Sequence, residues 1–418
     1  MFQYFSNAHV QYGPIVRVAP DELTITHSDA WKDIYQKRPQ LTKDPYGLTP
    51  PLNGADSLFT AQGQTHLRMR RTLANAFSDK ALRDQSPVIE SYISLFVSRI
   101  HREAAKSGNG DSVIDIAKFL GYLSLDLIGD LAIGQSFHGL EGDNEHSWIL
   151  GFWLGAKFGS IRTSLSRFHP LELVFGFIFL SLTARERAKN WKFVTDSITG
   201  RLEIGDLGEK RSDFITPVIG NISDDKQKGI TRQELDTNSL ALVIAGCEVS
   251  TAALTATSYF LLRYPLTLKR LSEEVRGSFE SEKAIGVTST IDLPYLSAVI
   301  NESLRIHHPT PSHLPRVVPR EGLTIAGQWI PGGVRQQNYK SASCTLTDIH
   351  KQTTIGVGLQ TIQNHPDHWT EPQIFHPERW LSEAHKHYDA HFAKDNMEAF
   401  HPFSVSWKTP SDTLGMRR

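Results

Sequence analysis

The chain has 418 residues, with 44 Lys plus Arg against 45 Asp plus Glu, a formal charge of −1. That balance leaves no electrostatic footprint for nucleic acid or an anionic membrane. Two cysteines, Cys247 and Cys344, exclude a disulfide scaffold and a cysteine-rich metal module and fit a reducing compartment, while 39% apolar residues exclude global disorder.

Met1–Val10 has neither a basic start nor an apolar run, so no signal peptide is expected. Tyr12–Pro20 and Glu22–Thr26 alternate and carry β-branched residues, which predicts two short strands joined by a turn. From about Thr65 to Arg305 helical spacing dominates, as in Leu73, Phe77 and Leu82 and then Ile89, Ile93, Phe96 and Ile100. The best apolar run, Leu171–Leu182, is shorter than the ~20 residues a spanning helix needs, so no membrane span is expected.

A helix predicted from Gln233 to Arg263 would be roughly 45 Å long, and its apolar character around Leu240–Ala245 predicts burial. Asp292-Leu-Pro294 opens another helix that stops before His308-Pro309. Proline-rich, extended chain follows, with short strands within Val317–Ile330. Val334–Val357 is polar and aperiodic, and Ser406–Arg418 is a polar tail without a packing pattern. The fold class is mainly α with a minor β part.

Glu302 and Arg305 share a helix face, and the apolar neighbours Leu296, Val299, Ile300 and Leu304 suggest that this pair is buried. A buried pair needs further partners, and Arg379 in Phe375-His-Pro-Glu-Arg-Trp380 is the candidate third member. His385, His387 and His391 could suggest a metal, but no fourth ligand accompanies them. Cys247 is expected to be a small core residue.

In order along the chain stand His66-Leu-Arg-Met-Arg70, Ala245-Gly-Cys-Glu-Val-Ser-Thr251, Asn301-Glu-Ser-Leu-Arg305, Pro315-Arg316, Ile330-Pro-Gly-Gly333, Pro377-Glu-Arg-Trp380 and Pro402-Phe-Ser-Val405. Each is weak alone. In this order the set resembles the cytochrome P-450 family, and Tyr12–Glu22 resembles its fungal microsomal, secondary-metabolite branch. The resemblance implies a cytochrome P-450-like helical fold over 1–405 and a haem cofactor, held at the propionates by Arg70 and Arg316 with His66 one turn from Arg70. It makes Ala245 and Gly246 the small residues that let the macrocycle and dioxygen approach. Phe403 opens the haem-ligand loop, and Glu248 with Ser250 steers protons. Glu302, Arg305 and Arg379 become a structural network beside the haem.

The implied reaction is hydroxylation, epoxidation or desaturation of a small apolar substrate, using O2 and electrons from an NADPH–cytochrome reductase. The implied location is the endoplasmic reticulum membrane face, with Phe168–Arg185 resembling a mobile, membrane-facing lid. Core packing is the other reading of its apolar run.

Three departures stand beside the resemblance. Val249 occupies a position where the family commonly has Thr. After Val405 the sequence runs Ser-Trp-Lys-Thr-Pro, and no cysteine follows Cys344, whereas the family has its iron-ligating cysteine shortly after that point. Finally, Val334–Val357 interrupts the approach to a strand. The expectation is an atypical insert at 334–357, a translated retained intron, and a non-family tail at 406–418. The branch's usual N-terminal anchor is missing, so the expected location for the chain as written is cytoplasmic or peripheral. The rival expectations are a catalytically inactive remnant that binds ligand or partner without redox chemistry, and a chain that does not fold stably.

Overall fold

A computed structural model describes residues 2–44, 52–106, 112–142, 161, 165, 169–204, 213–223, 225, 228–332 and 353–405, with backbone only at 2 and 169–173. The chain divides into two compact units, Met1–Asp44 with Ala256–Ser278 and Leu293–Arg418, and Pro45–Thr255 with Phe279–Asp292. The sequence reading had taken 1–405 as one domain. Helices dominate and the strands are few and short.

The first unit opens with helix α1 (Phe2–Tyr12), then strands β1 (Ile15–Ala19) and β2 (Glu22–Ile25). These are the two strands predicted from alternation, and they pair antiparallel. Strand β3 is Arg316–Val317. β4 (Leu323–Ile325) and β5 (Gln328–Ile330) form a hairpin. Its two turn residues, Ala326 at φ 47° and Gly327 at φ 76°, have the positive φ values that a tight two-residue turn demands.

Strand β6 (Thr354–Val357) runs parallel to β2, with Leu23 opposite Ile355 and Ile25 opposite Val357. β3 completes the order β1-β2-β6-β3, with Arg316 opposite Ile355. This corrects one boundary of the sequence reading. Thr354–Val357 had been placed at the end of the atypical stretch, yet it is an inner strand of the sheet, and Ile355 and Val357 are fully buried. Its four residues read as polar sequence continuation because a strand buried on both faces shows no alternation. The rest of the proposed insert, 334–352, and the tail, 406–418, lie outside the described residues, as does Cys344.

In the second unit, α2 (Gly63–Ala74) and α3 (Asp79–Ala105) are joined by a short turn, and the Ser78 hydroxyl caps α3 by accepting from Ala81 N at 3.2 Å. Of the apolar stripe predicted here Leu73 is buried, whereas Phe77, Leu82 and Ile93 are exposed. Helix α4 (Ile116–Ile133) starts at the Asp115 cap and ends at Gly134, whose φ of 75° closes the last turn. It packs against α5 (His169–Ile204), and Leu131, Ile133, Val194, Ile198 and Ile230 share one core. Buried Asp126 on α4 accepts from Gly139 N at 2.9 Å and Leu140 N at 2.8 Å, which pins the following loop to the helix.

Helix α6 (Arg232–Arg263) matches the predicted long helix. Two expectations about it fail. Its middle is not uniformly buried: Val243 and Cys247 are, but Ile244, Val249 and Leu254 are about two-fifths exposed. It is also long and apolar enough by length and composition to cross a membrane, where the sequence reading found no such segment. Interleaved Ser and Thr hid this from a search for unbroken apolar runs. The unit boundary falls between Thr255 and Ala256 of this helix. Then come α7 (Pro265–Ser278) and α8 (Pro294–Ile306), the latter with Pro294 in its first turn as predicted.

Three buried histidines bind the first unit. His9 on α1 accepts from the Thr24 hydroxyl at 2.7 Å and donates to Gly13 O at 3.0 Å. His308 Nε2 reaches Pro402 O at 2.9 Å, and His365 is 4% exposed. Burial pushes all three imidazoles below their ordinary value. A depressed group contributes stability above its unfolded pKa and loses it as pH falls. The thermal midpoint by circular dichroism is therefore expected to be highest above about pH 6.5 and to drop toward pH 5. His9→Gln flattens that slope.

Candidate functional site

The first unit is organised around Glu302, which is fully buried on α8. Arg305, three residues on, donates from Nε at 2.9 Å and from Nη2 at 2.8 Å, a bidentate grip set by the helical spacing. Arg379 Nε donates at 3.1 Å, Trp380 Nε1 at 2.9 Å and His376 N at 3.0 Å. Burial alone pushes this carboxyl up, and Arg305 and Arg379 more than offset it, holding Glu302 below the usual carboxylate range. The guanidiniums are satisfied in turn: Arg305 reaches Gln363 O at 2.9 Å and Pro372 O at 2.8 Å, and Arg379 pairs with Asp395 and reaches Thr370 O at 3.1 Å. Trp369 lies under both, at 5.2 Å from Arg305 and 5.9 Å from Arg379. The predicted trio is thus brought together. Asp395, Trp369, Trp380 and the His376 amide were missed, since single residues at unremarkable spacings carry no local signal.

Arg316, the predicted anion-holder of the first unit, sits differently. Its guanidinium lies over the Tyr35 ring at 5.3 Å and contacts only the carbonyls of Leu314 at 3.4 Å and Pro315 at 3.0 Å. Its Nε is buried with no hydrogen-bond partner. Burial holds its pKa below the ordinary guanidinium value, with Tyr35 the opposing influence. Phe403 is 77% exposed, beside Ser404 in a left-handed conformation at φ 60°.

The second unit carries the other predicted residues. On α6, Glu248 is half-buried and burial pushes its carboxyl up. Ser250 is exposed and so is Val249, so both lie off the packed face. Thr251 points the other way and spends its hydroxyl on Cys247 O at 2.7 Å. Ala245 is partly buried. At Gly246 a Cβ would lie 2.7 Å from Ile128 Cδ1, so its small size admits the close packing of α4. On α2, His66 is partly buried and Arg70 exposed. Between them Arg68, which the sequence reading passed over, grips Glu234 through Nη1 at 3.0 Å and Nη2 at 2.7 Å and Gly229 O at 2.6 Å. That clamp fixes α2 against the start of α6.

Cys247 is buried, and burial pushes its thiol up to about 11. Among the described residues no cluster of His, Cys, Asp and Glu could hold a metal ion. His385 and His387 stack around Tyr295, at 6.3 and 5.7 Å, and His391 lies 3.6 Å from Glu371.

The fold is mainly helical with a small mixed sheet, and its first unit holds a buried Glu–Arg–Arg network and, at Arg316, a guanidinium with no carboxylate partner among the described residues. The family model described as Cytochrome P450 matches residues 1–338 and 340–405, and the chain belongs to that family. It is 35% identical over 412 residues to averantin hydroxylase of Dothistroma septosporum, covering 98% of this chain and 71% of that one. It is 31% identical over 423 residues to a cytochrome P450 monooxygenase of Purpureocillium lilacinum, covering 99% and 75%. It is 32% identical over 407 residues to averantin hydroxylase of Aspergillus parasiticus, covering 97% and 75%. These relatives lend no support to the inactive-remnant reading.

Glu302→Ala leaves two buried guanidiniums without their carboxylate. The expected cost is about 3–5 kcal/mol in urea unfolding, followed by tryptophan fluorescence. That is a large share of the ~5–15 kcal/mol of a typical domain.

Proposed function

We propose that this chain derives from, and carries the binding framework of, a haem-thiolate monooxygenase that oxidises a small apolar intermediate of fungal secondary metabolism. Electrons come from an NADPH–cytochrome reductase at the endoplasmic reticulum membrane face. Hydroxylation is the favoured subtype, because two of the relatives are averantin hydroxylases. The observation that carries the reading is the buried Nε of Arg316, which has no partner among the described residues, on a side chain whose polar partners there are backbone carbonyls. A partly buried cation whose Nε is closed off from water and meets no carboxylate among the described residues fits an anion supplied by a cofactor. A porphyrin propionate is such an anion. When bound, the haem supplies the iron that activates dioxygen.

The sulfur ligand is a different matter. Cys247 does not fit, because its side chain is packed in the apolar core with Leu131, Leu235 and Val243. No step is therefore assigned to a thiolate within these residues. What α6 offers for proton steering is the Glu248 carboxyl, whose pKa burial pushes up, with Ser250 the nearest exposed hydroxyl along the helix, while Val249 can relay nothing.

Carbon monoxide difference spectroscopy of the reduced protein tests the reading in two forms. The 418-residue chain is expected to show no thiolate-type Soret band. A chimera in which the ligand loop and C-terminal segment of the Dothistroma hydroxylase replace 406–418 is expected to show one, and to oxidise averantin or a similar apolar compound. A folded chimera that takes up no haem sinks the proposal. In the chimera, Glu248→Gln is expected to keep the band and slow turnover roughly 10²-fold.

A further inference from the structure

Tyr35 closes a single turn of π-helix, Trp31–Tyr35, an uncommon backbone form concentrated at functional places. Its ring is 7% exposed, and its phenol is fixed at the far end: it donates to Leu314 O at 3.0 Å and accepts from Val357 N at 3.1 Å. The ring therefore bridges the segment just before Arg316 and the last residue of β6. Burial pushes the phenol up to about 12, so it stays neutral across the working range of pH. The face of this immobilised ring carries the Arg316 guanidinium at 5.3 Å. The backbone of Arg316 is held separately, by its place opposite Ile355 in the sheet, by its bridge to Lys43 and by Val317 N donating to Thr42 O at 2.8 Å.

The two ways of holding a buried guanidinium have opposite electrostatic results. A carboxylate holds it and cancels its charge, as Glu302 does for Arg305. An aromatic face holds it through the ring quadrupole and leaves the charge and the in-plane N–H donors available. We infer that Tyr35 is the positioning residue for Arg316: its ring fixes the guanidinium without neutralising it, so that the Nε–H, which has no partner among the described residues, stays open for a porphyrin carboxylate. The inference rests on the proposed haem-binding role of Arg316. It adds a residue that never touches the porphyrin and acts through the arginine alone.

Metal-free protoporphyrin IX and its dimethyl ester are the probes, titrated by fluorescence into the full 418-residue chain. Neither needs an axial ligand, and only the first carries carboxylates. The wild-type chain is expected to prefer the diacid, and Arg316→Gln to abolish the preference. Tyr35→Leu should cut it about 10-fold. Tyr35→Phe and Tyr35→Trp should retain it, because they keep an aromatic face while losing the hydroxyl contacts. In nitrogen-15 spectra the Arg316 Nε–H should be ring-shifted and slow to exchange in the wild type and in Tyr35→Phe. Both properties should vanish in Tyr35→Leu. Retention of the diacid preference in Tyr35→Leu, or its loss in a folded Tyr35→Phe, overturns the positioning role while leaving Arg316 as the anion-holder. No diacid preference in the wild type, or one that survives Arg316→Gln, overturns the haem-binding reading itself. The Nε–H shift then still decides whether the ring holds the guanidinium.

Discussion

A carboxylate with no exposure to solvent sits between two guanidiniums, and the first unit is assembled around it. Glu302 accepts from α8, from the segment holding Arg379 and Trp380, and from the backbone of His376. An isolated charge in that position would be untenable. The pair becomes tolerable only when every remaining donor is also met, and the chain does this with the carbonyls of Gln363, Thr370 and Pro372 and with Asp395. Those acceptors lie on irregular chain with little regular secondary structure of its own. The polar network, more than helix or sheet, therefore dictates the path from about Gln363 to Asp395. The stacked Phe260–Phe375 pair at 4.8 Å and the contact of Trp380 with Phe400 at 4.4 Å pack against the frame it sets.

The sheet does comparable work for the other half of the same unit. Pairing β2 with β6 joins residues more than three hundred positions apart, a costly closure that local propensity cannot direct. Once formed, it places Arg316 on β3 within reach of Tyr35, and the sheet and the ring fix one guanidinium from its two ends. In the second unit the corresponding device is an ion pair. Arg68 and Glu234 lock α2 to the opening turns of α6, and with that the placement of His66 and Arg70 relative to Glu248 becomes a property of two rigid helices.

Much of this was legible in the sequence, and the reasons differ by residue. Glu302 and Arg305 announce themselves because three-residue spacing on an apolar helix leaves little alternative to burial. The strands at 15–19 and 22–25 are visible because one alternating pattern follows another. Arg68 was passed over because its partner lies 166 positions away, and nothing in a local window separates it from Arg70 or Arg71. Thr354–Val357 was read as part of a foreign stretch because the polar chain before it hid where the strand begins. Gly246 is legible as a small residue, and the packing of α4 adds Ile128 as a neighbour that its missing side chain admits.

The contrast between three arginines gives the arrangement its functional sense. Arg305 and Arg379 are 0% and 4% exposed and saturated by carboxylates and carbonyls, so they can offer nothing to a ligand. Arg316 is only partly buried, meets an aromatic face and two nearby carbonyls, and keeps a buried Nε–H with no acceptor among the described residues. Evolution could have quenched that cation with a single acidic residue, as it did twice within the same unit. A buried positive charge left open costs stability unless something else completes it. Under the proposed function, a carboxylate carried by the cofactor would complete it without occupying a side-chain position. The three arginines thus differ in how they are held: two are closed by carboxylates within the fold, and the third is held by a ring and backbone carbonyls, which is the difference the proposed role of Arg316 rests on.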